Sequence, residues 1–127
     1  MHGGLDPGGM KNRRLVVRLG FAFAGLALVF RRERSFRAQV VLAATAAVAL
    51  LVLRPGPLWA ALVALSAALV LALELANSAL EYLVDHLHPA QAREIGAAKD
   101  AAAAAVLVAS LAAPIIAALM VADTLLP

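Results

Sequence analysis

Cysteine is absent from this 127-residue sequence, which excludes disulfides and thiolate chemistry and leaves the redox compartment open. Charge is also scarce: Asp, Glu, Lys and Arg make up 15% of the chain, against 64% hydrophobic residues and a mean hydropathy of +0.90. A soluble globular domain is about 45–50% apolar, so this composition is that of a membrane protein. No segment repeats, and a chain this short makes one domain. A few membrane helices in one copy bury little surface, so the chain is expected to oligomerise. The net charge of +3 is not a sign of nucleic-acid binding, because the arginines crowd beside apolar segments. Anionic lipid headgroups account for them better.

The opening "MHGGLDPGG" is glycine-rich without apolar periodicity, and residues 1–9 are expected to form a disordered tail. Residues 10–127 form the single domain. Its first part, about 10–36, holds an apolar stretch from Leu19 to Phe30 flanked by basic clusters. Twelve residues are too few to cross a bilayer. Lys11, Arg14 and Arg18 fall on one helical stripe, as in a helix lying in the headgroup plane. A cleaved signal peptide is disfavoured, since no small-residue cleavage site follows and further apolar runs do.

Three spans are expected, at about 37–54, 58–85 and 99–123. The first has an apolar run of roughly 24 Å, slightly short unless Arg37 and Arg54 snorkel. "RPGPLW" is a tight turn with an interfacial tryptophan. Pro89 ends the second span, Gly96 precedes the third, and Pro114 is placed to kink it. The alanines of "AAKDAAAAAVLVASLAA" make a close-packing face. Ten of the eleven Lys and Arg residues lie in the N-terminal segment or the second loop. The positive-inside rule therefore puts those two regions in the cytoplasm and the C-terminus outside.

Against this background "LELANSALEYLVD" at residues 73–85 is anomalous, because an acid at membrane depth is costly unless it is paired or used. Glu74, Asn77, Glu81 and Asp85 fall within roughly 80° of one another on a helix, a polar stripe descending from water into the headgroup layer. Glu33, Lys99 and Asp100 are expected at the same depth, around a cleft. Carboxylates without cysteine suit a hard divalent cation, and Mg2+ is usually held by one or two carboxylates plus substrate phosphates. Lys99 offers a compact charge for phosphate. Phosphoryl transfer needs these parts and a group to take the nucleophile's proton.

Each feature also has a plainer reading. Glu81 and Asp85 read as a solvated helix flank, Glu74 and Asn77 as inter-helix hydrogen bonding, and "AKD" as a flank with an N-cap. His86 and His88 point different ways on a helix and read as interfacial. The combination, at one depth, favours chemistry. A non-catalytic subunit or an ion relay is the alternative of a different class, but a relay needs acids along a path, and the outer halves of the spans have no ionisable residue short of the terminal Arg54 and Asp123.

Three blocks in order, "ERSFRAQ" from Glu33, "ELANSALEYLVD" from Glu74 and "IGAAKDAAAAAVL" from Ile95, resemble the small prokaryotic membrane diacylglycerol kinases, which include undecaprenol kinases. They match that family's E-x-x-F-R block, its E-x-x-N-[ST]-[AI]-[LI]-E-x-x-V-D signature and its A-K-D block. The resemblance implies an all-α membrane fold, with an amphipathic surface helix and three transmembrane helices in a homotrimer of the bacterial inner membrane. It also implies Mg2+-dependent phosphorylation of a lipid alcohol by ATP at the cytoplasmic face. Diacylglycerol is the expected substrate and undecaprenol the alternative. By resemblance, Glu33 and Glu81 bind metal and nucleotide, Glu74 is the general base, and Asn77 helps place the lipid. Lys99, Asp100 and Gly96 contact the nucleotide, while Arg14 and Gln39 line the lipid or nucleotide side. Ala22, Phe23 and Ala38 depart from the residues some members carry. As in the family, the sequence has no glycine-rich phosphate loop.

Overall fold

The computed structural model describes residues 7–90 and 92–127, which form four helices in the order α1 (Pro7–Arg32), α2 (Arg34–Leu53), α3 (Pro57–Leu87) and α4 (Arg93–Leu125). The all-helical architecture and the three spans agree with the sequence. α2, α3 and α4 are long and apolar enough to cross a membrane. α3 and α4 have 31 and 33 residues, about 46 and 50 Å at the helical rise, so both exceed a hydrocarbon core of about 30 Å. Where the two helices join, they carry Glu81, Asp85, Glu94 and Asp100.

Several boundaries move. Of the expected tail, residues 1–6 lie outside the described residues and Pro7 already begins α1, consistent with proline's fitness for a first helical turn. The first helix ends at Arg32 rather than near residue 36. Glu33 is the single extended residue between two helices, at φ −104° and ψ 112°. The third span begins at Arg93, so Gly96 lies inside its first turn, donating its N–H to the Ala92 carbonyl at 3.0 Å. Lys99 and Asp100 are thus two turns into α4. Pro114 sits within a helix that continues through it.

α4 packs most extensively on α3, and α2 also packs on α3. α1 meets the bundle chiefly near its C-terminal end, where Val29 is buried, while Leu15, Phe21 and Phe23 are exposed. Arg37 ties the two halves of the α1–α2 junction. Its Nη1 donates to the Phe30 and Arg31 carbonyls at 2.8 and 2.9 Å, satisfying helix-end acceptors that α1 leaves open. The core is thin: Val29, Phe36, Val63, Val70, Ala109 and Met120 are the buried apolar residues described. At the end opposite Glu74 and Glu81, Trp59 Nε1 donates to Asp123 Oδ2 at 2.7 Å, joining the start of α3 to the end of α4.

The α2–α3 turn depends on backbone chemistry. Arg54 closes α2 in the left-handed region, and Gly56 adopts φ 104° and ψ 163°, a region essentially restricted to glycine. A Cβ added at Gly56 would meet nothing within 4 Å, so the restriction is conformational rather than steric crowding. Gly56→Ala is therefore expected to destabilise the chain by about 1–3 kcal/mol, read as an earlier thermal transition in detergent. An unchanged transition would contradict this turn.

Candidate active site at the acid-bearing end of the bundle

The buried residues of α3 are Val63, Val70, Glu74 and Ser78, spaced at helical intervals on one face. That face is apolar over its first turns and becomes polar at Glu74 without turning outward. Glu74 is 5% exposed, a carboxylate enclosed among packed helices. Burying it is costly unless hydrogen bonds or charges compensate. Ser35, in the first turn of α2, donates to Glu74 Oε2 across a long 3.4 Å. Glu33 and Glu81, both half-buried, lie within electrostatic range of Glu74. One turn along, Asn77 Oδ1 is buried without a hydrogen-bond partner. An unpartnered buried amide oxygen beside a buried carboxylate is an arrangement that a ligand would complete.

Glu33 sits at the break between α1 and α2. It caps α2 with its backbone alone, and its side chain turns to α3, where Tyr82 Oη donates to Glu33 Oε1 at 2.7 Å. The Arg32 guanidinium lies over the Tyr82 ring, 5.6 Å from its centre, a cation–π distance. Lys99 Nζ lies 2.9 Å from Asp85 Oδ1 and within electrostatic range of Glu81, linking α3 to α4. Beside this pair opens a cleft of about 520 Å³, lined by Asp85, His88, Arg93, Gly96 and Lys99 among others. It is the nearest match to the cleft expected from the sequence, but it is formed by the α3–α4 connection and does not include Glu74.

The chain thus brings Glu33, Glu74, Glu81 and Lys99 to one end, with Asn77 inside the cluster and Gly96 on the cleft. Asp100, next to Lys99, is exposed. Gln39 lies elsewhere: its Nε2 donates to Ser110 Oγ at 3.2 Å, on the wall of a separate cavity of about 310 Å³ between α2, α3 and α4. Arg14 is distant. It stands eighteen positions before Arg32 on one unbroken helix, about 27 Å along the axis, so this chain's Arg14 does not reach its own Glu33.

Among the described residues, no group of three or more His, Asp or Glu side chains converges as a metal cage. Two carboxylates, Glu33 and Glu81, with all-oxygen donors, fit a Mg2+ ion that brings its remaining ligands on a phosphate. Sequence reasoning missed Ser35, Tyr82 and the Lys99–Asp85 pair. The available signal was modest: Tyr82 is the chain's single tyrosine, immediately after Glu81.

Gly96 allows a direct check of the cleft. A Cβ there would meet nothing within 4 Å, so nothing among the described residues demands glycine. Gly96→Ala is expected to keep or raise thermal stability, by up to about 1 kcal/mol from helix propensity. A lowered transition would mean that a neighbouring subunit presses on this surface.

Comparison with known proteins gives this geometry a family. The sequence model for prokaryotic diacylglycerol kinase matches residues 20–121. A diacylglycerol kinase of Synechocystis sp. is 37% identical over 103 residues, covering 80% of this chain and 59% of the relative. The chain therefore spans somewhat more than half the length of that relative. The match takes in Glu33, Glu74, Asn77, Glu81, Gly96, Lys99 and Asp100. On this extent of similarity, the chain belongs to the prokaryotic diacylglycerol kinase family.

Proposed function

We propose that this protein is a lipid kinase that transfers the γ-phosphoryl group of ATP to the free hydroxyl of diacylglycerol. The single observation that carries the reading is Glu74: a buried carboxylate beside an unpartnered buried amide oxygen, at the polar end of three apolar helices. A lipid hydroxyl reaches such a place from the bilayer and a nucleotide from water. The Synechocystis relative is a diacylglycerol kinase, which supports diacylglycerol as the acceptor.

In this reading Glu74 accepts the proton of the lipid hydroxyl as its oxygen forms a bond to the γ-phosphorus and the bond to the β-phosphate oxygen breaks, releasing ADP. Ser35 occupies Oε2 of Glu74 and leaves Oε1 for the substrate. Asn77 holds the hydroxyl in line. Lys99, at the edge of the cleft lined by Gly96, exchanges its contact with Asp85 for the ATP phosphates, and Asp100 faces the nucleoside side. Glu33 and Glu81 would hold Mg2+, which when bound neutralises charge on the phosphates. Positioning and electrostatics supply most of the rate, as phosphoryl transfer requires.

The positive charges gathered at this end support a cytoplasmic site in the bacterial inner membrane, with the C-terminus outside. The distance of Arg14 from its own cluster, the thin core and the exposed apolar side chains support a homotrimer in which Arg14 serves a neighbouring subunit. Gln39 lines the lipid side, deeper in the bundle.

The test is ATP-dependent transfer of labelled phosphate to diacylglycerol and to undecaprenol in mixed micelles with Mg2+. The unaltered protein is expected to label diacylglycerol. Glu74→Gln is expected to be slower by about a hundredfold or more, the usual scale of a lost general base, while still folded. Labelling of undecaprenol alone would reassign the lipid, and labelling of neither would overturn the kinase reading. Separately, Glu33→Gln and Glu81→Gln are each expected to raise the half-saturating Mg2+ concentration by about tenfold or more. Unchanged Mg2+ dependence in both would remove them as metal ligands.

A further inference from the structure

Glu33 is the one residue that breaks the path from α1 to α2, and an extended residue between two helices does not by itself fix where its side chain points. Its carboxylate makes no capping bond to α2. What holds it is Tyr82 on α3, whose hydroxyl donates to Oε1 at 2.7 Å, an ordinary length for a hydroxyl-to-carboxylate bond. Arg32, the last residue of α1, holds the Tyr82 ring from its face at 5.6 Å. The two contacts close a small loop: α1 grips the ring, and the ring grips the carboxylate that follows α1.

We infer that Tyr82 is a positioning residue for the metal site, orienting Glu33 by occupying one carboxylate oxygen, Oε1, and leaving the other free for the ion. The inference rests on the metal-binding role proposed for Glu33. It concerns a residue that need not touch nucleotide or lipid. A monodentate carboxylate ligand is effective when its second oxygen is hydrogen-bonded, because the free oxygen then points one way without loss of rotamer freedom on binding. Tyr82 also follows Glu81 directly, so a single turn of α3 supplies one carboxylate and orients the other. The phenol crosses from α3 to the α1–α2 junction, and the angle of α1 and the direction of Glu33 are thereby fixed together.

The experiment uses the full chain in micelles, with Mn2+ as the probe in the presence of a non-hydrolysable ATP analogue and bound metal read by electron paramagnetic resonance. Tyr82→Phe, which removes only the hydroxyl, is expected to weaken Mn2+ binding about tenfold, the scale of lost outer-sphere support, and to leave binding within about twofold in a Glu33→Gln background. In lipid phosphorylation it raises half-saturating Mg2+ while kcat at saturating Mg2+ stays within about twofold. Equal Mn2+ binding in Tyr82→Phe, or the same loss in both backgrounds, would overturn the inference. A second measurement needs no variant of Tyr82. Because the chain has one tyrosine, 13Cζ-tyrosine labelling gives a single resonance. Mn2+ with the analogue is expected to broaden it in the unaltered protein and not in Glu33→Gln, and an unbroadened resonance would overturn the inference. The Mn2+ readings do not depend on which lipid, if any, is phosphorylated, so failure of the kinase reading and failure of this inference are distinguishable.

Discussion

A carboxylate buried among apolar helices is the constraint on which the rest of this structure depends. Glu74 lies on the same face of α3 as Val63 and Val70, so packing the span inward carries the acid inward with them. Among the described residues, those around it are a serine hydroxyl, an amide and two further carboxylates rather than a cation that would neutralise it. Lys99 is nearby in the fold but bound to Asp85. Repulsion within such a cluster opposes folding, and a group maintained against that cost is better explained by use than by stability.

Surplus helix length gives the cluster its place. α2 is about as long as the hydrocarbon is thick, whereas α3 and α4 overshoot it by several turns at the end where they join. The overshoot makes a short polar storey on an apolar bundle, with Glu81, Asp85 and Lys99 on it and Glu74 at its base. α1 is pinned to that storey at one end by Arg37, which closes the α1 carbonyls, and by the Glu33–Tyr82 bond. Its other end, with Arg14, extends away. A single chain therefore holds the acids, the amide and the lysine but not every residue the family resemblance assigns to the site.

Most of this was legible in the sequence, for identifiable reasons. Long apolar runs bounded by arginines, prolines and glycine define spans in lipid because unsatisfied backbone leaves no other choice, and three helices long and apolar enough to cross a membrane are present. The polar stripe on the second span was legible from its period alone. The boundaries were less so: Arg93 begins α4 because nothing from Arg93 to Ala98 opposes a helix once Gly96 is tolerated in the first turn, and polarity had read as loop. The partners of the acids were not legible. Ser35 and Tyr82 occupy positions that neither periodicity nor charge marks, and only the meeting of α2 and α3 shows that they bond to Glu74 and Glu33. Gln39 stands two turns along α2 from Glu33, and its bond to Ser110 on α4 was equally hidden, because the α2–α4 contact has no signature along the chain.

The central claim is that nucleotide and lipid meet at this polar storey. Photolabelling of the intact protein in micelles with a radioactive azido-ATP and Mg2+, followed by mapping of the labelled peptides, tests it most directly. The account predicts label within the segment from Val84 to Asp100, around the cleft that Gly96 and Lys99 line, and its loss on adding excess ATP. Competed label at the opposite end, near Trp59 and Asp123, or no competable label on the chain at all, would contradict it.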